Sequence, residues 1–182
     1  MSSIYFKAKK HRTKLSGALA VAFLVFSQPS SLTLFYGAFP ILIGQSIRLW
    51  SAGHIHKNQV LTVTGPYSLS RNPLYVGSFI LGTGFMVAMG VIWLAVVFLL
   101  FYASIYWFTI RWEEDKLAKA FPDAWKVYKR AVPRLIPVWN LPDYHPGEFS
   151  WSQVTKHKEI LNAAVVLAVY AILWGKALLI GY

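Results

Sequence analysis

Five apolar runs, set apart by polar or turn-forming breaks, constrain this chain more than any other feature. Residues 15–28, Leu32 to Ala52, Pro73 to about Met89, Val91 to about Arg111 and Ile160 to about Ile180 are the runs. Each approaches or reaches the roughly 20 residues that a helix needs to cross a bilayer. Inside hydrocarbon a chain must satisfy its own backbone hydrogen bonds, so such runs are expected as helices. Composition agrees: 56% hydrophobic residues, 16% aromatics and a mean hydropathy of +0.46 exceed what a water-soluble domain can hide. The expected fold class is all-α, a polytopic membrane protein of about five transmembrane helices.

Charge placement gives the expected orientation. The net charge of +11 would suit nucleic acid, but the basic residues are distributed by topology and not along one face, so nucleic acid is set aside as a partner. With the N-terminus cytoplasmic and five spans, all Lys and Arg residues but Lys176 fall on the inner side or at inner helix ends. The C-terminus then lies outside, across an inner membrane in a bacterium or an ER-type membrane in a eukaryote. Lys7 to Lys14 followed by an apolar run share the outline of a signal peptide. No small-x-small cleavage site follows, and the second run begins after four residues, so a retained helical hairpin is expected. The absence of cysteine removes disulfides and thiolate metal sites. His54 and His56, two apart on an expected turn, are poorly spaced for a helical metal pair, so no metal site is assigned. No repeat or linker divides residues 1–182, and one domain is the default.

The polar stretch Gly65-Pro66-Tyr67-Ser68-Leu69-Ser70-Arg71-Asn72-Pro73-Leu74-Tyr75-Val76-Gly77 leads straight into the third run. Gly65-Pro66 breaks what precedes it. Asn72-Pro73 reads as a helix start, Asn accepting backbone N–H bonds at the cap and Pro filling the first helical position, which needs no donor. With Arg71 just outside, that helix N-terminus suits a carboxylate or phosphate, although a capped helix with Arg71 snorkelling to headgroups would use the same residues. In the third run, Ser78 and Gly82 have the four-residue spacing that permits close helix packing.

Two long inner segments, 53–72 and 112–159, are expected to face each other. In the second, helical spacing puts Ile110, Glu114, Leu117 and Phe121 on one face, continuing toward Trp125 and Tyr128, while Asp115, Lys116 and Lys119 fall elsewhere. A carboxylate on that apolar stripe needs a cationic partner, either a bound cation or Arg71 or Arg111 in a salt bridge. Val132-Pro133-Arg134-Leu135-Ile136-Pro137 must be extended, because two prolines forbid helix, and it can lie over the site as a lid. Trp139, Tyr144, Phe149 and Trp151 read as headgroup-level anchors, and His145 and His157 as interfacial.

Between about 59 and 137 the chain resembles the membrane methyltransferases that include isoprenylcysteine carboxyl methyltransferases and phospholipid N-methyltransferases. The resemblance rests on Gly65-Pro66-Tyr67, on Arg71-Asn72-Pro73-Leu74-Tyr75-Val76-Gly77, and on Glu113-Glu114 followed by Leu117, Phe121, Tyr128 and Val132-Pro133. Asn72 departs from the His usual in that motif, and Gln59 from the His of many carboxyl methyltransferases. The resemblance implies S-adenosylmethionine as cofactor, a pocket on the cytoplasmic side, and a lipid or prenylated acceptor methylated on a carboxylate or an amine. It implies Arg71 and Glu114 as catalytic residues. Cofactor binding would fall to Gln59, Leu61, Gly65, Tyr67, Arg71, Asn72, Pro73, Tyr75, Gly77, Glu113, Glu114, Trp125 and Tyr128. In chemical terms Arg71 suits the cofactor carboxylate, Glu114 or Glu113 its ammonium, and Tyr67, Tyr75 and Trp125 its adenine or sulfonium. The alternatives are a sterol-reductase-like enzyme using NADPH and a non-enzymatic membrane scaffold or transporter.

Overall fold

The computed structural model describes residues 17–55, 60–137 and 147–180. Gln59, His56, Trp139, Tyr144 and His145 lie outside these described residues. Within them the chain is helical, with no strand. Helix α1 spans Gly17–Phe26 and α2 spans Ser31–His54. The turn between them ends in a capping box: Ser30 Oγ accepts from Thr33 N, and Ser30 N donates to Thr33 Oγ1 at 2.9 Å. This reciprocal cap lets α2 begin at once, which closes the hairpin. A one-turn helix, α3, covers Pro66–Leu69, followed by α4 over Pro73–Met89, α5 over Ile92–Ala120 and α6 over Pro122–Ala131. The short α7, Trp151–Lys156, leads to α8, Glu159–Ile180.

By length and composition α2, α5 and α8 can cross a membrane, and α1 and α4 are shorter apolar helices. Their ends alternate as five spans require. Gln28 N donates to Met89 O at 2.8 Å, which joins the α1–α2 turn to the α4–α5 turn. Gly90 allows this approach, since it sits at φ +71° and a Cβ there would lie 2.5 Å from Gln28 O. Lys176 of α8 reaches the same end and donates to Leu24 O, Val25 O and Ser27 O at 2.7–2.9 Å. The one cation expected on the outside is thus held by carbonyls at the end of α1, where a helix end is electronegative. The ion-pair-rich segments gather at the opposite end.

Helices α2 and α4 pack through four glycines. A Cβ at Gly37 would come within 2.7 Å of Gly84 O, and one at Gly44 within 2.6 Å of Gly77 O. The converse holds for Gly84 against Gly37 O at 2.9 Å and Gly77 against Gly44 O at 2.8 Å. Seven-residue spacing on both helices brings each glycine opposite its counterpart, and backbones meet as small residues permit. The expected small pair does not make this seam: Ser78 accepts from Arg48, and Gly82 faces the Phe98 ring. Leu34, Ile41, Phe85, Leu94, Val166 and Leu173 form the core beside it, while large side chains such as Leu100, Phe108 and Leu167 point outward, as lipid-facing residues would.

At 29 residues, α5 extends about 43 Å, well past a hydrocarbon core of about 30 Å. Its last turns therefore project, carrying Arg111 to Asp115. The apolar stripe does not run on in one helix toward Trp125 and Tyr128. Phe121 leaves helical geometry at φ −137°, ψ 63°, and Pro122 opens α6, as expected of a residue held out of helix by the proline that follows.

Candidate functional site

The site forms where Ser70 to Asn72 meets the extended segment after α6. Arg71 N donates to Pro133 O at 2.9 Å, and Ser70 Oγ donates to Arg134 O at 3.3 Å. The Val132 to Pro137 segment thus lies directly on the motif stretch.

Asn72 starts α4 through its backbone, its carbonyl accepting from Tyr75 N and Val76 N. Its side chain does not cap the helix, contrary to expectation. Nδ2 instead donates to Glu114 Oε1 at 3.2 Å and to Arg134 O at 3.0 Å. The side chain is turned toward the buried carboxylate across the site, where Nδ2 makes a charge-assisted bond, and Oδ1 is not in position to cap the helix.

Glu114 is buried with protein partners around it. Arg134 Nε and Nη2 donate to Oε2 at 3.0 and 2.8 Å, and Arg71 Nε stands 3.6 Å from Oε1. Of the two arginines weighed as partners, Arg71 is near, and Arg111 is exposed with its guanidinium over Trp107 at 4.5 Å. Arg134 was missed. Its signal was the Pro-fixed extended segment, but nothing in the spacing shows that this segment folds back onto Ser70. Glu113, beside Glu114, is half-buried.

Arg71 is 8% exposed at its side chain, with its guanidinium 5.5 Å from the Trp125 ring centre. Its Nε and Nη1 have no hydrogen-bond partner. Tyr67 Oη is likewise buried without one, although Tyr67 O accepts from Tyr128 Oη at 2.7 Å. Burial pushes the Tyr67 phenol well above its ordinary range, Tyr128, Glu113 and Glu159 add to the effect, and Arg48 opposes it. Burial also raises Tyr128, against the pull of Arg71. Both phenols therefore stay protonated, and Tyr67 keeps an O–H to donate. Trp125, Tyr128 and Val132 pack together against Leu61 and Leu117 under this group.

The other nominated residues lie around this centre. Pro73 is buried at the start of α4, and Tyr75 packs edge-on against Tyr106 at 5.0 Å. Gly77 faces Gly44 and Arg48 across the α2–α4 seam. Gly65, at φ +56°, lies where a Cβ would fall 2.6 Å from Nε2 of the buried His54, so its nearest role is packing. His54 Nδ1 is 2.9 Å from Trp50 O.

The model of the phospholipid methyltransferase family matches residues 32–124. The chain belongs to that family. The family match takes in Tyr67, Arg71, Asn72 and both glutamates, and stops just before Trp125, Tyr128 and Arg134. Two curated relatives are the cobalt-zinc-cadmium resistance protein CzcN of Cupriavidus metallidurans, 38% identical over 68% of this chain and 56% of its own length, and the nickel-cobalt-cadmium resistance protein NccN of Alcaligenes xylosoxydans xylosoxydans, 37% identical over 59% and 51%. The chain spans about half the length of these relatives. No solved structure matches it.

Proposed function

We propose that this methyltransferase-family protein transfers a methyl group from S-adenosylmethionine to a lipid-type or prenylated acceptor in the membrane, at a pocket on the cytoplasmic side. The observation that carries the reading is the pair of unpartnered Arg71 N–H groups in a buried site. Leaving them unmade costs the folded protein, and an anionic group such as a carboxylate would meet either with a charge-assisted hydrogen bond. Tyr67 Oη supplies a third unpartnered donor. The donor set thus fits an amino-acid-bearing cofactor.

When bound, the cofactor supplies an electrophilic methyl whose bond to sulfur breaks as the bond to the acceptor forms, leaving S-adenosylhomocysteine. The protein's part is alignment and exclusion of water, which matter most for in-line transfer away from a cation. Arg71 holds the cofactor carboxylate, and Glu114 with Arg134 and Asn72 fixes where Arg71 stands. Trp125 and Tyr128 form an apolar, aromatic floor. The segment from Val132 to Pro137 keeps solvent off. A carboxylate acceptor needs no base, whereas an amine must arrive neutral. Because Glu114 already accepts from three protein groups, we assign the cofactor ammonium to Glu113 first.

The relatives' metal-resistance names enter as a setting. The proposed substrate is the membrane acceptor. Calorimetry in detergent with S-adenosylhomocysteine and with NADPH tests the reading. Heat from the first alone is expected; heat from NADPH alone would turn the assignment to a reductase.

A further inference from the structure

The bundle holds a second polar cluster that the motif stretch does not include. Arg48 of α2 donates through Nε to Glu159 Oε2 at 3.2 Å and through Nη2 to Oε1 at 2.6 Å, and through Nη1 to Ser78 Oγ. Asn162 Nδ2 also donates to Glu159 Oε2, at 3.2 Å. These bonds engage three of the five guanidinium N–H groups, so two remain. Ionisable residues among apolar helices are costly to keep and usually mark a site.

Arg48, Ser78 and Asn162 border a cavity of about 310 Å³. Its other walls are mainly hydrocarbon and aromatic, among them Phe23 of α1, Leu81 of α4 and Phe101 of α5. Tyr102 and Tyr106 also line it. Tyr102 Oη donates to Tyr75 O at 2.5 Å, and Tyr106 packs on the Tyr75 ring, so the cavity adjoins the motif stretch. Ligand sites run from roughly 300 to 1,000 Å³, which makes this one large enough for a single chain and too small for a whole two-chain lipid. A cavity of about 360 Å³ near Gly90 has Thr83 as its one polar lining side chain. Nothing there would orient a head group.

We propose that the cavity beneath the Arg48–Glu159 pair seats one hydrocarbon chain of the acceptor, and that Arg48, held by Glu159, binds an oxyanion at the head of that chain. The pair then selects amphiphiles whose first polar group is anionic. The word acceptor rests on the methyltransferase reading; the binding itself does not.

The test uses the full chain purified in detergent, a diazirine-bearing palmitate and a diazirine-bearing hexadecanol. Palmitate is expected to crosslink between Phe98 and Tyr106. Ala20→Trp, at an exposed position that lines the cavity, should cut labelling about tenfold, a modest loss of binding free energy. The paired change Arg48→Met with Glu159→Met removes both charges together, which protein interiors often tolerate. It should keep hexadecanol labelling and lose the preference for palmitate. Stronger competition by unlabelled hexadecyl phosphate than by palmitate would assign the oxyanion as phosphate, and the reverse as carboxylate. Labelling spread evenly onto outward-facing Leu100 and Phe108, indifference to Ala20→Trp, or competition by neither anion would overturn the proposal. The S-adenosylhomocysteine melting shift, measured on the same samples, should survive Ala20→Trp. Its absence from the parent protein would end the cofactor reading and leave the labelling to decide the cavity.

Discussion

Among the described residues the Arg–Glu contacts fall into two clusters, one around Glu159 and one around Glu114, and they differ in what is left on the arginine. In the pair between α2 and α8, Arg48 makes a two-point contact with Glu159 and reaches Ser78, while Asn162 steadies the carboxylate. In the pair at the motif stretch, Glu114 is the saturated member, taking two bonds from Arg134 and one from Asn72, and Arg71 is left with Nε and Nη1 unmade. A two-point pair that ties helices together costs most when broken, even where its arginine keeps N–H groups for a ligand. Where the arginine makes no hydrogen bond at Nε or Nη1, its loss should register in binding more than in folding.

The largest expected effect comes from breaking the two-point pair. Glu159→Gln leaves Arg48 as an underpaired charge among apolar helices, and the loss of stability is expected at about 3–5 kcal/mol, the cost of removing one partner of a buried bridge. Melting in detergent measures it, and the shift induced by S-adenosylhomocysteine should persist in the protein that remains folded. Arg71→Met should reverse that signature. Cofactor-analogue affinity falls by about 1.5–3 kcal/mol, while the apo melting temperature holds or rises because two unmet donors are gone. A lowered apo melting temperature with unchanged affinity would make Arg71 a structural residue and erase the contrast.

Glu114→Gln sharpens the comparison. If its cationic partner were the cofactor alone, the apo protein would hardly change. Here Arg134 and Asn72 already supply donors, so the apo protein should lose about 1–3 kcal/mol, moderated because Gln still accepts and Arg134 is partly open to solvent. Affinity should fall as well, through the freed Arg71. Loss of the ligand-induced shift with no change in the apo value would instead restore Glu114 as the direct ammonium partner.

The spans were legible because hydropathy over about 20 residues is a long, redundant signal, and the turns at Pro29 and Gly90 punctuate it. The motif stretch was legible because Gly65-Pro66 and Asn72-Pro73 fix turn geometry locally. Asn72's side chain was not, since the same residue type can cap a helix or donate to a carboxylate, and tertiary position decides which. Arg134 reaches Glu114 from a segment tied to the motif stretch by the Arg71 N–H on Pro133 O and by Ser70 and Asn72 on Arg134 O, contacts between segments some 60 residues apart. The α2–α4 seam was visible as glycines seven apart in each of two runs, but a four-residue template points to Ser78 and Gly82 instead. Arg48 and Glu159 were visible singly as charges bordering apolar runs. Their pairing required knowing that α8 returns beside α2.

The smallest effect tests whether the unmet donors act together. Tyr67→Phe removes a hydroxyl that has no partner in the protein, so the apo protein should be no less stable near neutral pH. The same change should weaken S-adenosylhomocysteine binding by about 0.5–1.5 kcal/mol, the worth of one neutral hydrogen bond. The phenol adds a second readout. Its pKa is raised in the folded state by burial, so above about pH 10 the unfolded chain loses this proton and the folded chain keeps it, and stability falls as pH rises. Tyr67→Phe should flatten that alkaline decline by one proton's share, with the remaining tyrosines retaining the rest. If the variant bound the analogue as tightly as the parent while flattening the decline, Tyr67 would be a buried phenol that happens to lie beside Arg71, and Arg71 would stand alone as the ligand's anchor.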